Sequence, residues 1–251
     1  MAAIETGSSA LSRPQPVFAT TRWSVVLAAG HGDTSHAHDA LAHLCRSYWY
    51  PLYAYARRRG QSPHDAQDLT QEFFARLLQG NWVAQADRQR GRFRTFLLSA
   101  MQHFMANEWN KARAQKRGGT QPVLSLNDDS AEQRYQLEPA EKSTPETLFE
   151  RGWALSLLND VLRRMEEEYR RDGKSAWMEA MRPALTADRD SIGYADIAQK
   201  LGMTEAAARV AVHRLRQRYR RLIQAEVANT VASPDEVEAE MRHLFQVLTA
   251  G

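Results

Sequence analysis

Cysteine is almost missing from this chain of 251 residues, in which Cys45 stands alone. One thiol excludes an internal disulfide framework and a cysteine zinc cluster, and it fits a reducing compartment, so a cytoplasmic location is expected. No stretch is long and apolar enough to insert in a membrane. The N-terminus has no charged segment followed by an apolar one, as a signal peptide would. Strand signals are nearly absent, so the expected fold class is all-α. Nor is there a nucleophile–base pair, a glycine-rich phosphate loop or a metal-ligand spacing, so no catalytic residue, cofactor or metal is expected. His31, His36, His38 and His43 tempt a metal reading, but they mix loop and helix positions without an i, i+4 pair or acidic partners.

What is present is charge in blocks. The net charge is only +3 and the pI about 9.1. Basic runs nevertheless stand at Arg57–Arg59, Lys111–Arg117 and Arg209–Arg221, and the segment from Asp128 to Glu150 is acidic. Separated basic patches with an acidic spacer suggest two contacts on a polyanion.

The chain divides accordingly. Residues 1–19, with Gly7, Ser8, Ser9, Pro14 and Pro16, read as a flexible arm. Residues 20–117 read as one helical domain, 118–147 as a flexible acidic linker, 148–227 as a second helical domain and 228–251 as a C-terminal helical extension. In the first domain, a short helix is expected from Thr21 to Leu27. A longer one follows from Asp39 to Arg59, with Leu41, Leu44, Tyr48, Leu52 and Tyr55 on one face, a kink at Pro51 and Gly60 as its stop. Ser62, Pro63 and Asp65 open the next helix as N-cap, first-turn proline and first-turn acid. Ala66, Leu69, Phe73 and Leu77 face inward there, leaving an acidic rim of Asp65, Asp68, Gln71 and Glu72 with Phe74 expected to be exposed. Such a rim is either a partner surface or an ordinary solvated face.

Trp82, Asp87, Arg88, Arg90 and Gly91 lie in a polar loop, after which Phe93, Leu97, Ala100 and Phe104 form a buried stripe. Arg94, Gln102, His103, Asn107, Asn110, Lys111 and Arg113 supply donors on its other faces. Amide and basic groups beside Trp and Phe suit base edges and stacked, unpaired bases, and they equally suit a plain amphipathic helix with a frayed basic end.

The second domain carries the strongest motif. Tyr194–Leu201 reads as a short helix, Gly202 as a sharp turn and Thr204 as the N-cap of a second helix, on which Ala208, Val212, Leu215, Tyr219 and Leu222 form a buried stripe. The other face carries Glu205, Arg209, His213, Arg214, Arg216, Arg218 and Arg220. This is the layout of a helix-turn-helix, whose second helix enters the major groove of DNA. The competing reading is a surface hairpin of helices with a solvated charged face. Further on, Ser233, Pro234, Asp235 and Glu236 start a tail helix whose stripe of Val237, Met241, Leu244 and Leu248 must dock on this chain or on a partner.

In this order the parts resemble the extracytoplasmic-function sigma factors of the sigma-70 family. Asp65-Ala-Gln-Asp-Leu-Thr-Gln-Glu-Phe-Phe-Ala-Arg-Leu is similar to the family's region 2.2, Phe93-Arg-Thr-Phe-Leu onward to regions 2.3 and 2.4, and the helix-turn-helix to region 4.2. The resemblance implies binding without catalysis. RNA polymerase core would be met through its β′ clamp helices by Asp65, Asp68, Leu69, Gln71 and Glu72, and through its β flap. The −10 promoter element would be opened and held by Trp82, Arg88, Arg90, Arg92, Gln102, His103, Asn107, Asn110, Lys111 and Arg113. The −35 element would be read by Thr204, Glu205, Arg209, His213 and Arg214, with Arg216 and Arg218 on phosphates. An anti-sigma factor, a kinase or another regulator is an implied partner class. Gln67 replaces the family's usual Glu and Thr70 its common Val, so Ser62 and Thr70 are candidate phosphorylation sites that would restore negative charge. The rival reading is a stand-alone helix-turn-helix regulator that binds duplex DNA and never touches polymerase.

Overall fold

The computed structural model describes residues 34–79, 92–114, 129–138, 144–231 and 233–249. The helix expected at Thr21–Leu27 and the loop from 81 to 91 lie outside the described residues. Nine α-helices are described: α1 Thr34–Arg58, α2 Pro63–Gln79, α3 Phe93–Ala114, α4 Asp129–Gln136, α5 Pro145–Arg171, α6 Ser175–Met181, α7 Tyr194–Leu201, α8 Glu205–Ala228 and α9 Val237–Thr249. Short 3-10 turns at Arg182–Leu185, Arg189–Ser191 and Pro234–Glu236 join the later ones. No strand occurs among the described residues.

Helix α5 is the axis of the arrangement, packing against α1, α6, α8 and α9. Its start is set by Thr144, whose side chain accepts the Thr147 N–H, followed by Pro145. Leu148, Phe149, Trp153, Leu157, Val161 and Met165 make its buried stripe. Helices α1 and α5 run in opposite directions, since Ser47 donates to Asp160 at 2.8 Å while Pro51 faces Gly152. A side chain at Gly152 would press to within 3.3 Å of the Pro51 backbone, so glycine permits the close crossing. Helix α1 continues through Pro51 rather than ending there. Buried residues of α1, α2 and α3 and those of α5 to α9 form one continuous apolar cluster.

Two expectations change here. Phe74 is buried, its ring stacked on Trp49 with centroids 5.9 Å apart, because α1 covers that side of α2. The segment expected as linker contains α4, which lies on α1. Glu132 of α4 takes two bonds from the Arg57 guanidinium at 2.9 Å and one from the Tyr53 hydroxyl, and Tyr50 donates to Glu138 at 3.0 Å. Apart from Ala131 and Tyr135, which pack on the core, polar contacts place this helix, which is why hydrophobic periodicity did not reveal it.

The tail helix α9 docks on α5 and α8 through Met241 and Leu244, with Val237 and Leu248 half-buried beside them. Its Glu240 is fully buried and meets Arg94, itself only 1% exposed, at the start of α3. Arg92 reaches the same carboxylate at 2.9 Å, while Arg94 also donates to Glu150 at 2.6 Å and lies 4.3 Å over the Trp153 ring. His243 bonds Glu150 at 3.0 Å. Five ionisable groups from the α3 entry, α5 and α9 thus converge on one spot.

Candidate nucleic-acid interface

The helix-turn-helix forms as the sequence requires. Gly202 has φ of 63°, the left-handed conformation that ends α7 and that a side chain would strain. Thr204 caps α8 by accepting the Ala207 N–H at 3.2 Å. Ile197 and Ala198 of α7 are buried, as are Ala208, Val212 and Leu215 of α8, where the two helices pack together. Glu205, Arg209, His213 and Arg214 remain exposed. Arg209 is held in place from two directions, paired with Glu205 at 2.6 Å and lying 4.4 Å over the Tyr194 ring.

Arg216 and Arg218 do not join that face. Arg216 donates to the backbone carbonyls of Ala184, at 2.7 Å, and Ala187, tying α8 to the 3-10 turn after α6. Arg218 makes a forked pair with Glu168 of α5, with its closest approach at 2.7 Å. Both flank the buried stripe closely enough to be recruited by neighbouring helices, and in the folded chain their guanidinium groups are engaged internally.

On α3, Gln102, His103 and Asn107 are exposed, and Trp109 beside them is 59% exposed. Arg92, expected among the DNA contacts, is held by Glu240, and Arg94 is buried. Asn110, Lys111 and Arg113 lie on the last turns of α3, where side chains are not described, and Trp82, Arg88 and Arg90 lie outside the described residues. The sequence carries one signal for the buried cluster: Glu240 sits one helical turn from both Val237 and Leu244, an acid on an apolar stripe.

On α2, Ser62 caps the first turn, accepting the Asp65 N–H at 3.1 Å and donating to the Asp65 carboxylate at 2.6 Å. Asp65 and Asp68 are exposed, Asp68 standing 3.5 Å from His64. Leu69, Gln71 and Glu72 are partly covered. Arg76 bridges Glu72 and Glu108, each at 2.7 Å, and so joins the rim to α3. Thr70 is fully buried and its hydroxyl donates to the Ala66 carbonyl at 2.7 Å, so phosphorylation there is excluded in the folded chain. Ser62 alone remains accessible. Among the described residues no group of His, Cys, Asp and Glu is placed to hold a metal, and no helix is long and apolar enough to cross a membrane.

The fold and faces define a helical protein with an acidic rim on α2, an amide-rich helix face on α3 and a basic helix-turn-helix. Residues 44–115 match the family Sigma-70 region 2, the stretch from α1 through α3. The match covers under a third of the chain and shows what this stretch, rather than the whole chain, is similar to. No curated protein and no solved structure matches the chain.

Proposed function

We propose that this chain is an alternative sigma factor of the extracytoplasmic-function type, with two DNA-reading faces. The observation that carries the reading is the coexistence of a stretch similar to sigma-70 region 2 with a capped helix-turn-helix whose outward charges stay exposed. Asp65 and Asp68, with Leu69, Gln71 and Glu72 alongside, dock on the β′ clamp helices of the polymerase. Gln102, His103 and Asn107, with Trp109 beside them, contact the −10 element during strand separation, where an exposed indole can stack on an unpaired base. Thr204, Glu205, Arg209, His213 and Arg214 read the −35 element. Promoters are selected by binding, with no covalent chemistry on this chain.

The test is transcription in vitro with bacterial core polymerase on promoters selected from a random library. Wild type should start transcripts at defined sites. Asp68→Ala should lose core binding, and Arg209→Ala should lose upstream selectivity by about 1–3 kcal/mol, the worth of one base-reading pair. A wild type that binds duplex DNA tightly but never engages core would replace this reading with that of a stand-alone regulator.

A further inference from the structure

We infer that Val210 reads a thymine: its methyl groups meet the C5-methyl of one base in the major groove of the upstream element. This rests on the reading of α8 as the helix that enters duplex DNA. Successive residues turn about 100° around a helix, 3.6 to the turn. The buried residues Ala208, Val212, Leu215 and Leu222 mark the inward side of α8. The side directly opposite is centred on Ala206, Val210, His213 and Gln217, with Arg209 and Arg214 on its flanks. Val210 therefore stands at the crest of the face that would meet DNA, within its first two turns, where a recognition helix approaches base edges.

A single exposed valine means little by itself. Here its place decides. Val210 is 50% exposed. It is surrounded by side chains that would crowd it only if they folded over it. Arg209 is instead drawn aside by Glu205 and Tyr194, and Ala206, one turn earlier, is too short to cover it. Having neither donor nor acceptor, valine can distinguish only one feature of the groove floor, the thymine methyl. Its branched side chain is also nearly fixed in a helix, so little freedom is lost on contact.

The experiment uses the full chain with core polymerase on a selected promoter. Each thymine of the upstream element is replaced in turn by deoxyuridine, which removes only the methyl. One position should weaken wild-type binding about fourfold, the worth of one buried methyl group. Val210→Ala should bind the thymine promoter about fourfold more weakly than wild type and be indifferent to uracil at that position, as a shared contact requires. Its thermal melt should match wild type, since Val210 packs on nothing in the core. If no thymine is methyl-sensitive, or if Val210→Ala keeps the sensitivity, the inference is overturned. Loss of upstream selectivity in Arg209→Ala would in that case still uphold the helix-turn-helix reading. If wild type shows no upstream selectivity at all, both fall together.

Discussion

At the start of α3, Arg92 and Arg94 turn into the protein and share Glu240. On α8, by contrast, Arg209 and Arg214 point to solvent. Both helices carry basic residues beside an apolar stripe, and in sequence the two looked alike. The difference lies in what packs beside them. Helices α5 and α9 bring carboxylates against α3, and burial then makes an unpaired guanidinium untenable. The desolvation of Arg94 lowers its pKa, opposed by the Glu150 carboxylate beside it. The outer face of the first turns of α8 meets no such neighbour. A basic run therefore counts toward DNA only where the fold leaves it uncovered.

The largest expected effect tests the covered side of this contrast. Glu240→Ala removes one of the two carboxylates that meet the buried Arg94 and should cost about 3–5 kcal/mol in urea unfolding. Replacing both partners with apolar residues, Arg94→Met with Glu240→Leu, should recover most of that loss. Unchanged stability in Glu240→Ala would mean that the Arg94–Glu240 contact is dispensable, and that Arg92 is available to DNA after all.

A smaller effect separates the arginines of α8 from each other. Arg216→Ala removes two charge-assisted bonds to backbone carbonyls and should lower stability by about 1.5–3 kcal/mol. Arg214→Ala should leave stability within about 0.5 kcal/mol of wild type while weakening upstream binding. Urea unfolding read beside promoter binding distinguishes the two variants. An Arg216→Ala protein of normal stability and impaired DNA binding would return Arg216 to the DNA face.

Much of this organisation was legible in the sequence because it follows helical periodicity and local caps. The stripe Ala208, Val212, Leu215 and Leu222, the left-handed Gly202, the Thr204 cap and the Ser62–Pro63 start all depend on residues within a turn or two of one another. The helical class followed from the same patterns, and the tail stripe of Met241 and Leu244 foretold a docked helix. What stayed hidden depends on partners far away in the chain. Phe74 looked exposed until Trp49 covered it. Arg94 needed Glu240, and Arg218 needed Glu168. Thr70 looked like an accessible hydroxyl because a single helix does not reveal which of its flanks another helix will bury. Helix α4 offered only Ala131 and Tyr135, too short a stripe to stand out.

The third basic run extends the comparison to the smallest expected effect. Arg57, within a run that looked free for a polyanion, is taken by Glu132 of α4. The hydrogen bond from Arg57 is the main reason that the Glu132 carboxyl is held below the usual range, and burial opposes it. A carboxylate with a lowered folded pKa stabilises the fold above its unfolded value of about 4.3 and loses that contribution as pH falls through the folded value. Glu132→Gln should therefore melt at a lower temperature than wild type at pH 7, with the gap closing as acidification below about pH 4 protonates the wild-type side chain. Thermal melts of the two proteins across that range measure it. A gap that persisted unchanged into acid would show that α4 is placed by its neutral contacts alone, and Arg57 would then be no more committed to the fold than Arg209 is.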